Sequence, residues 1–434
     1  MSIEPGGGSF FSESAMSKAW LVVALLWPVA LLNYLDRQML ATMKASMVGD
    51  IPSIANKADW GIVLGSFKWV YAVLSPIGGS IADRFSRRHV ICFSLFTWSL
   101  VTWLTGHVST FHELVGARAL MGISEAFYIP AALALIADFH IGPTRSRAVG
   151  VHQTGIYAGL ILGGFAGHVA DSPEHGWRWA FSLCGLIGVA YALPLFLLLR
   201  NPPRAVDAAR CDADTPVCGA TGQTGVSASR PGAAFTELLG NRNFVLLVLY
   251  FTLPAIAGWV VKDWMPDILK EKFGLGQGHA GVTAVLWVQI ASLAGAVAGG
   301  VLADRWMRRT MRGRIFTSAI GMVLFLPALF GVGNAQVLGM AITALVVFGI
   351  GWGFFDCNNM PILCQIARPE LRATGYGIMN LASISCGGFG DWGFGLLRDR
   401  HVPLNAIFGA FAGVVLLSIF IVMLIQLRTI ESHP

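Results

Sequence analysis

Charge is what this sequence lacks most. Of 434 residues only 12% are Asp, Glu, Lys or Arg, against 55% hydrophobic residues and a mean hydropathy of +0.64. That balance does not fit a soluble domain of this length and predicts a membrane protein with many spans. Also missing is any G-x-x-x-x-G-K-[ST] loop, so an ATP-driven pump is unsupported. No His-Glu-x-x-His or nucleophile elbow argues for an intramembrane enzyme. "GQGHAG" (276–281) fits a dinucleotide pattern, but it lies in a loop with no strand before it. The seven cysteines show no paired spacing: Cys92, Cys184, Cys357, Cys364 and Cys386 lie in apolar segments, Cys211 and Cys218 in a central loop. Free thiols are expected, with no disulfide framework, no zinc or other metal site and no cofactor. No small-residue cleavage site follows the first apolar run, so Met1 to Ser17 reads as a polar tail, not a signal peptide.

What is present is apolar length. Runs able to cross a bilayer, about 20 residues each, occur six times before Arg200 and six times after Asn241. Between them lies "NPPRAVDAARCDADTPVCGATGQTGVSASRPGAA", rich in Pro, Gly, Ala and Ser, which reads as a flexible linker. The expected divisions are a tail at 1–17, a six-helix bundle at 18–200, a linker at 201–240, a second six-helix bundle at 241–428 and a tail at 429–434. The net charge of +6 comes from short loops, not from a basic stripe, which argues against nucleic acid as a partner. Arg84, Arg87, Arg88, Arg145, Arg147, Arg305, Arg308, Arg309, Arg312, Arg314, Arg368 and Arg372 all fall on one side. By the positive-inside rule that side, with both termini, is cytoplasmic.

The chain also repeats itself. "GGSIADRFSRR" (78–88) returns as "GGVLADRWMRR" (299–309), displaced by 221 residues. Gly122, Glu125 and Pro130 return as Gly353, Asp356 and Pro361, displaced by 231. Six helices have been duplicated. The fold class is therefore all-α, with twelve transmembrane helices in two pseudosymmetric six-helix bundles.

Against this apolar background a few charges stand inside spans. "LLNYLDRQML" (31–40) carries Asp36 and Arg37 in the first helix, expected to run from about Trp20 to Met47. Insertion of each costs roughly 2.5–3.5 kcal/mol. Arg118 and Glu125 share one face of the fourth helix, seven residues apart. Burial and a neighbouring arginine act oppositely on a carboxylate, so its protonation can depend on whether that arginine holds an anion. A static ion-pair network is the alternative, disfavoured because buried pairs add little net stability over apolar replacements.

With its paired Gly-x-x-x-Asp-Arg-x-x-Arg-Arg loops the chain resembles the major facilitator superfamily of secondary transporters over residues 20–428. "NYLDR" and "RALMGISE" resemble its anion:cation symporter branch, which includes hexuronate and galactonate permeases, and spinster-like transporters share much of the pattern. The resemblance implies alternating access across the cytoplasmic (inner) membrane and symport of a small organic anion, a sugar acid being the leading class. It implies the proton gradient as energy source, membrane lipid around the chain, and a monomer. On motif position, Asp36 and Glu125 map onto proton-carrying acids, and Arg37 and Arg118 onto the substrate and coupling site. Gly79, Asp83, Arg84 and Arg88, with Gly300, Asp304, Arg305 and Arg309, map onto loops that latch one conformation. Lys262 and Asp263 depart from the branch: either a second anion-binding charge or a pair snorkelling to the outer interface.

Further cavity candidates are Asp356, Asn358 and Asn359 in "FFDCNNMP", which either bind substrate or satisfy backbone groups freed by Pro361. His152, Gln153 and Asn380 either line the cavity or bond between helices. Tyr34, Tyr71, Tyr128, Tyr157 and Trp352 either stack on a ligand or pack. The rival functions are a transporter of amphipathic, lipid-like substrates and a non-transporting sensor on the same scaffold.

Overall fold

The computed structural model describes residues 13–140, 144–201, 231–368 and 371–426. Among them nine helices are long and apolar enough to cross a membrane. Arg87–Thr105, Thr144–Ala170 and Arg372–Asp399 complete twelve spans. These three dilute their apolar length with ends such as "RRH", "TRSR" and "RD". In chain order the spans are Glu13–Thr42, Lys57–Arg84, Arg87–Thr105, Phe111–Glu125 continued by Tyr128–Phe139, Thr144–Ala170 and Gly176–Leu198. The second half contributes Arg242–Phe273, Gln277–Met307, Gly313–Asn334, Leu338–Ile366, Arg372–Asp399 and Leu404–Met423.

The first span starts earlier than its apolar run, at Glu13, and stops at Thr42; Lys44–Asp50 forms a separate short helix before the second span. Residues 202–230 of the expected linker, with Cys211 and Cys218, lie outside the described residues, as do 1–12 and 427–434 of the tails. The end of the linker is a helix, Pro231–Gly240. The fourth span breaks after Glu125 because Pro130 has no N–H to offer the Ala126 carbonyl.

Glycine brings the spans together. A methyl group at Gly155 would stand 2.8 Å from the Trp27 carbonyl oxygen, and one at Gly163 would stand 2.8 Å from that of Leu35, so the fifth span lies backbone to backbone on the first. The halves meet in the same way. A methyl at Gly61 would stand 2.6 Å from the Asp391 carbonyl, joining second and eleventh spans, and one at Gly167 would stand 2.8 Å from that of Gln277, joining fifth and eighth.

These junctions lie toward one end of the spans, opposite the arginine-rich loops. On the seventh span Asp263, Asp267 and Glu271 recur every fourth residue and so share a face. Each meets a lysine of the first half: Asp263 pairs with Lys68, Asp267 with Lys44 at 2.8 Å, and Glu271 with Lys57. The backbone nitrogens of Lys57 and Ala58 donate to Asp399 at 3.0 and 2.7 Å, and that of Ser46 donates to Gln277 at 3.0 Å. The Gln277 side-chain amide also donates to Ser46 Oγ at 2.7 Å and to Asp171 at 3.3 Å, so these bonds between the halves gather at one face.

The arginine-rich loops lie at the other face. Asp304, Arg305 and Arg309 are exposed, and a methyl at Gly300 would meet open space. The neighbouring Gly299 makes a close approach, against Phe354 of the same half. Arg88 donates to the Phe196 carbonyl, also within its own half. The side chains of Gly79, Asp83 and Arg84 lie outside the described residues. The described contacts thus tie the halves at the face opposite the arginine-rich loops.

Candidate functional site

The break in the fourth span follows directly on Glu125, whose side chain is fully buried. One carboxylate oxygen accepts a hydrogen bond from Arg37 Nε at 2.5 Å, while Oε1 has no partner. This ion pair joins the first span to the fourth. The Arg37 guanidinium is collared by aromatics, lying 4.8 Å from the Tyr34 ring centroid, 4.7 Å from that of Phe67 and 5.0 Å from that of Tyr71. Such contacts favour a cation when it is shielded from water. Beside it Asp36 is 2% exposed; it accepts from Thr102 Oγ1 at 3.0 Å, and its Oδ1 has no partner.

Arg118 is different. It is 3% exposed, yet makes no ion pair. Its guanidinium rests 4.7 Å from the Phe67 ring centroid and reaches the Met121 sulfur at 3.0 Å, while Nε has no partner. A buried guanidinium is costly without an anion, and no carboxylate of the described chain supplies one here.

Across from these residues stands Asp356 on the tenth span. It is exposed, yet within electrostatic range of Tyr34, Tyr157, Lys262 and Tyr376, which belong to the first, fifth, seventh and eleventh spans. Only a side chain lining a cavity between the halves meets both conditions. Lys262 turns into that cavity, its ammonium 4.0 Å from the Trp352 ring centroid, so it does not snorkel to the interface. Asp263 does not pair with it but faces the other way, to Lys68.

The remaining candidates divide. Tyr128 and His152 are buried against each other at 2.9 Å, and the Tyr128 hydroxyl donates to the Leu26 carbonyl, so both pack spans one, four and five together. Asn358 donates to the Phe354 carbonyl of its own helix at 2.9 Å, whereas Asn359 is buried with neither amide atom partnered. Gln153 stands beside Tyr157, and Asn380 beside Tyr376 at the cavity's edge.

Sequence reasoning missed Lys68, Lys44, Tyr376 and Thr102. Two signals were available: a lone lysine in "SFKWVY" inside an apolar span, and three acids at a helical interval on the seventh span. Neither indicates a partner, because every partner lies in the other half.

The family model of the Major Facilitator Superfamily matches residues 26–391. Human protein spinster homolog 1 is 28% identical over 400 residues, covering 88% of this chain and 73% of the relative. The probable galactarate/D-glucarate transporter of Escherichia coli (strain K12) is 26% identical over 388 residues, covering 83% of this chain and 84% of the relative. Among solved structures, a bacterial homolog to the human lysosomal transporter Spinster, inward-facing and unoccupied, superposes with a TM-score of 0.74 at 20% identity over 96% of this chain and 95% of that one.

Proposed function

The chain belongs to the Major Facilitator Superfamily and is a multi-pass membrane transporter, and from that membership we propose that it carries a small organic anion by alternating access in symport with protons. The observation that carries this reading is Arg118, a guanidinium buried to 3% exposure with no carboxylate on it. It is a counter-charge waiting for an anion. Arg37 is the second, withheld by Glu125 until that carboxylate takes a proton and lets go; Asp36, with its free Oδ1, stands next to it as a second proton acceptor. Coupling follows: anion and proton bind together because each removes the obstacle to the other.

Sugar acids are the leading class. A carboxylate suits the two arginines in bidentate geometry, and Asn359, Asn380, Tyr376 and Asp356 offer partners for hydroxyls. The E. coli relative named for galactarate and D-glucarate supports the same class. An amphipathic anion is the second reading, favoured by the Tyr34, Phe67 and Tyr71 collar around Arg37, on which an apolar chain packs. The arginine-rich face is taken as cytoplasmic, so the described state opens inward; the chain works as a monomer in the inner membrane, driven by the proton gradient.

The test is a melting screen of purified protein against sugar acids, simple carboxylates, sugar phosphates and lysolipids, because a ligand of the folded state raises its stability by mass action. Sugar acids should raise the melting temperature, and the rise should vanish in Arg118→Ala. Stabilisation by lysolipids alone selects the amphipathic reading; stabilisation by sugar acids that survives Arg118→Ala contradicts the assigned site.

A further inference from the structure

The deepest rung of the closure between the halves has one charge too many. Lys68 of the second span is buried, its side chain 5% exposed, and it holds two carboxylates at once, Asp263 of the seventh span and Asp391 of the eleventh. Asp391 is fully buried, and its Oδ1 has no partner. The next lysine, Lys262, lies within range of Asp356 and Asp263 and stands against Trp352 and Trp259. The Lys68 ammonium also lies 4.5 Å from the Trp259 ring centroid, and Trp264 stands beside Asp391. From the fourth span Arg118 lies within range of Asp263, but it is equally within range of Asp36 and Glu125. Counting the interior charges gives Arg37, Lys44, Arg118, Lys68 and Lys262 against Asp36, Glu125, Asp263, Asp267, Asp356 and Asp391, so the acids exceed the bases by one.

Asp356 and Arg37 touch the cavity, where water screens them. Asp391 does not. An uncompensated carboxylate in a dry interface is expensive, and in practice such a group neutralises. We propose that the Lys68, Asp263 and Asp391 rung is a proton-binding site formed only when the halves close at the face opposite the arginine-rich loops, the proton sitting on Asp391, whose Oδ1 has no other partner. When the halves part there, Lys68 leaves with the first half, the two acids of the second half meet water, and the proton leaves toward that side. Closing then takes up one proton and opening releases it. The site is distinct from Glu125 and Asp36, and it acts without any substrate bound.

The experiment reads the closure itself. Spin labels carried on unnatural amino acids at Ser109 and Gln336, exposed loop positions of the two halves on the closing face, report closed and open distances in the full chain in nanodiscs from about pH 5 to 9. Uptake of one proton makes the closed-to-open ratio rise about tenfold for each unit of falling pH across the titration window. In Asp391→Asn, where an amide stands for the protonated acid, the face should stay closed and the slope should vanish. Asp263→Asn should do the same, which covers a failure of the first variant to fold. Glu125→Gln should keep the wild-type slope. A flat wild-type profile overturns the proposal, as does an unchanged slope in Asp391→Asn or in a folded Asp263→Asn. Loss of the slope in Glu125→Gln assigns the proton elsewhere and overturns it too. A closed fraction that responds to sodium at fixed pH shows a metal cation in the rung instead. Because no substrate enters the measurement, its outcome is separate from whether an organic anion is the cargo.

Discussion

Arg118 and Glu125 sit two turns apart on one helix face, and the structure gives them opposite situations: Glu125 is paired, Arg118 is not. The spacing made their shared face legible in the sequence, as it made the neighbouring Asp36 and Arg37 conspicuous. Which arginine would take which acid was not legible, because the pairing of Arg37 with Glu125 depends on how the first and fourth spans are rotated against each other. Arg118→Ala should remove substrate binding in exchange as well as in accumulation. Losing one partner of a buried charge pair costs about 2–5 kcal/mol, so affinity by calorimetry should fall more than about thirtyfold; a smaller drop contradicts the role of Arg118 as counter-charge. Asp36→Asn should behave differently. An amide oxygen still accepts the Thr102 hydroxyl, so the variant should melt within a few degrees of wild type while the pH dependence of substrate affinity flattens. A well-folded Asp36→Asn with an unaltered profile removes Asp36 from the proton path.

At the scale of elements the glycines explain both how the halves are built and how they meet. Gly155 and Gly163 hold the fifth span against the first inside one half, whereas Gly61 touches the eleventh span across the interface. Enlarging them should therefore have separate effects. Gly155→Leu overpacks a permanent contact and should lower stability by about 1–3 kcal/mol, visible as a lower melting temperature. Gly61→Leu blocks only the closed face, so it should leave the melting temperature near wild type but widen the distance between labels at 109 and 336. Equal losses of stability in both would show that the halves do not part at that interface. The ladder of Asp263, Asp267 and Glu271 was not legible, since its lysines lie some 200 residues earlier in the chain. The helix at Pro231–Gly240 was hidden by the composition of the linker around it.

For the whole molecule, duplication was the most legible property, because two displaced motifs report a two-fold architecture without any knowledge of contacts. The conformational state was not legible. One sequence serves both the closed and the open arrangement of each face, and only the structure shows Lys44, Lys57 and Lys68 engaged while Asp304, Arg305 and Arg309 stand exposed. Among the described residues Asp304 carries no ion pair, so Asp304→Asn should leave equilibrium affinity within a few-fold and slow turnover, a large loss of affinity being the contrary result. The central claim is that Glu125 exchanges Arg37 for a proton when the anion binds, and it is tested most directly in proteoliposomes with the acid that stabilises the purified protein. Under an imposed proton gradient, Glu125→Gln should fail to accumulate that acid while still exchanging it in counterflow at a rate near wild type. Accumulation against a gradient that survives in Glu125→Gln would contradict the account.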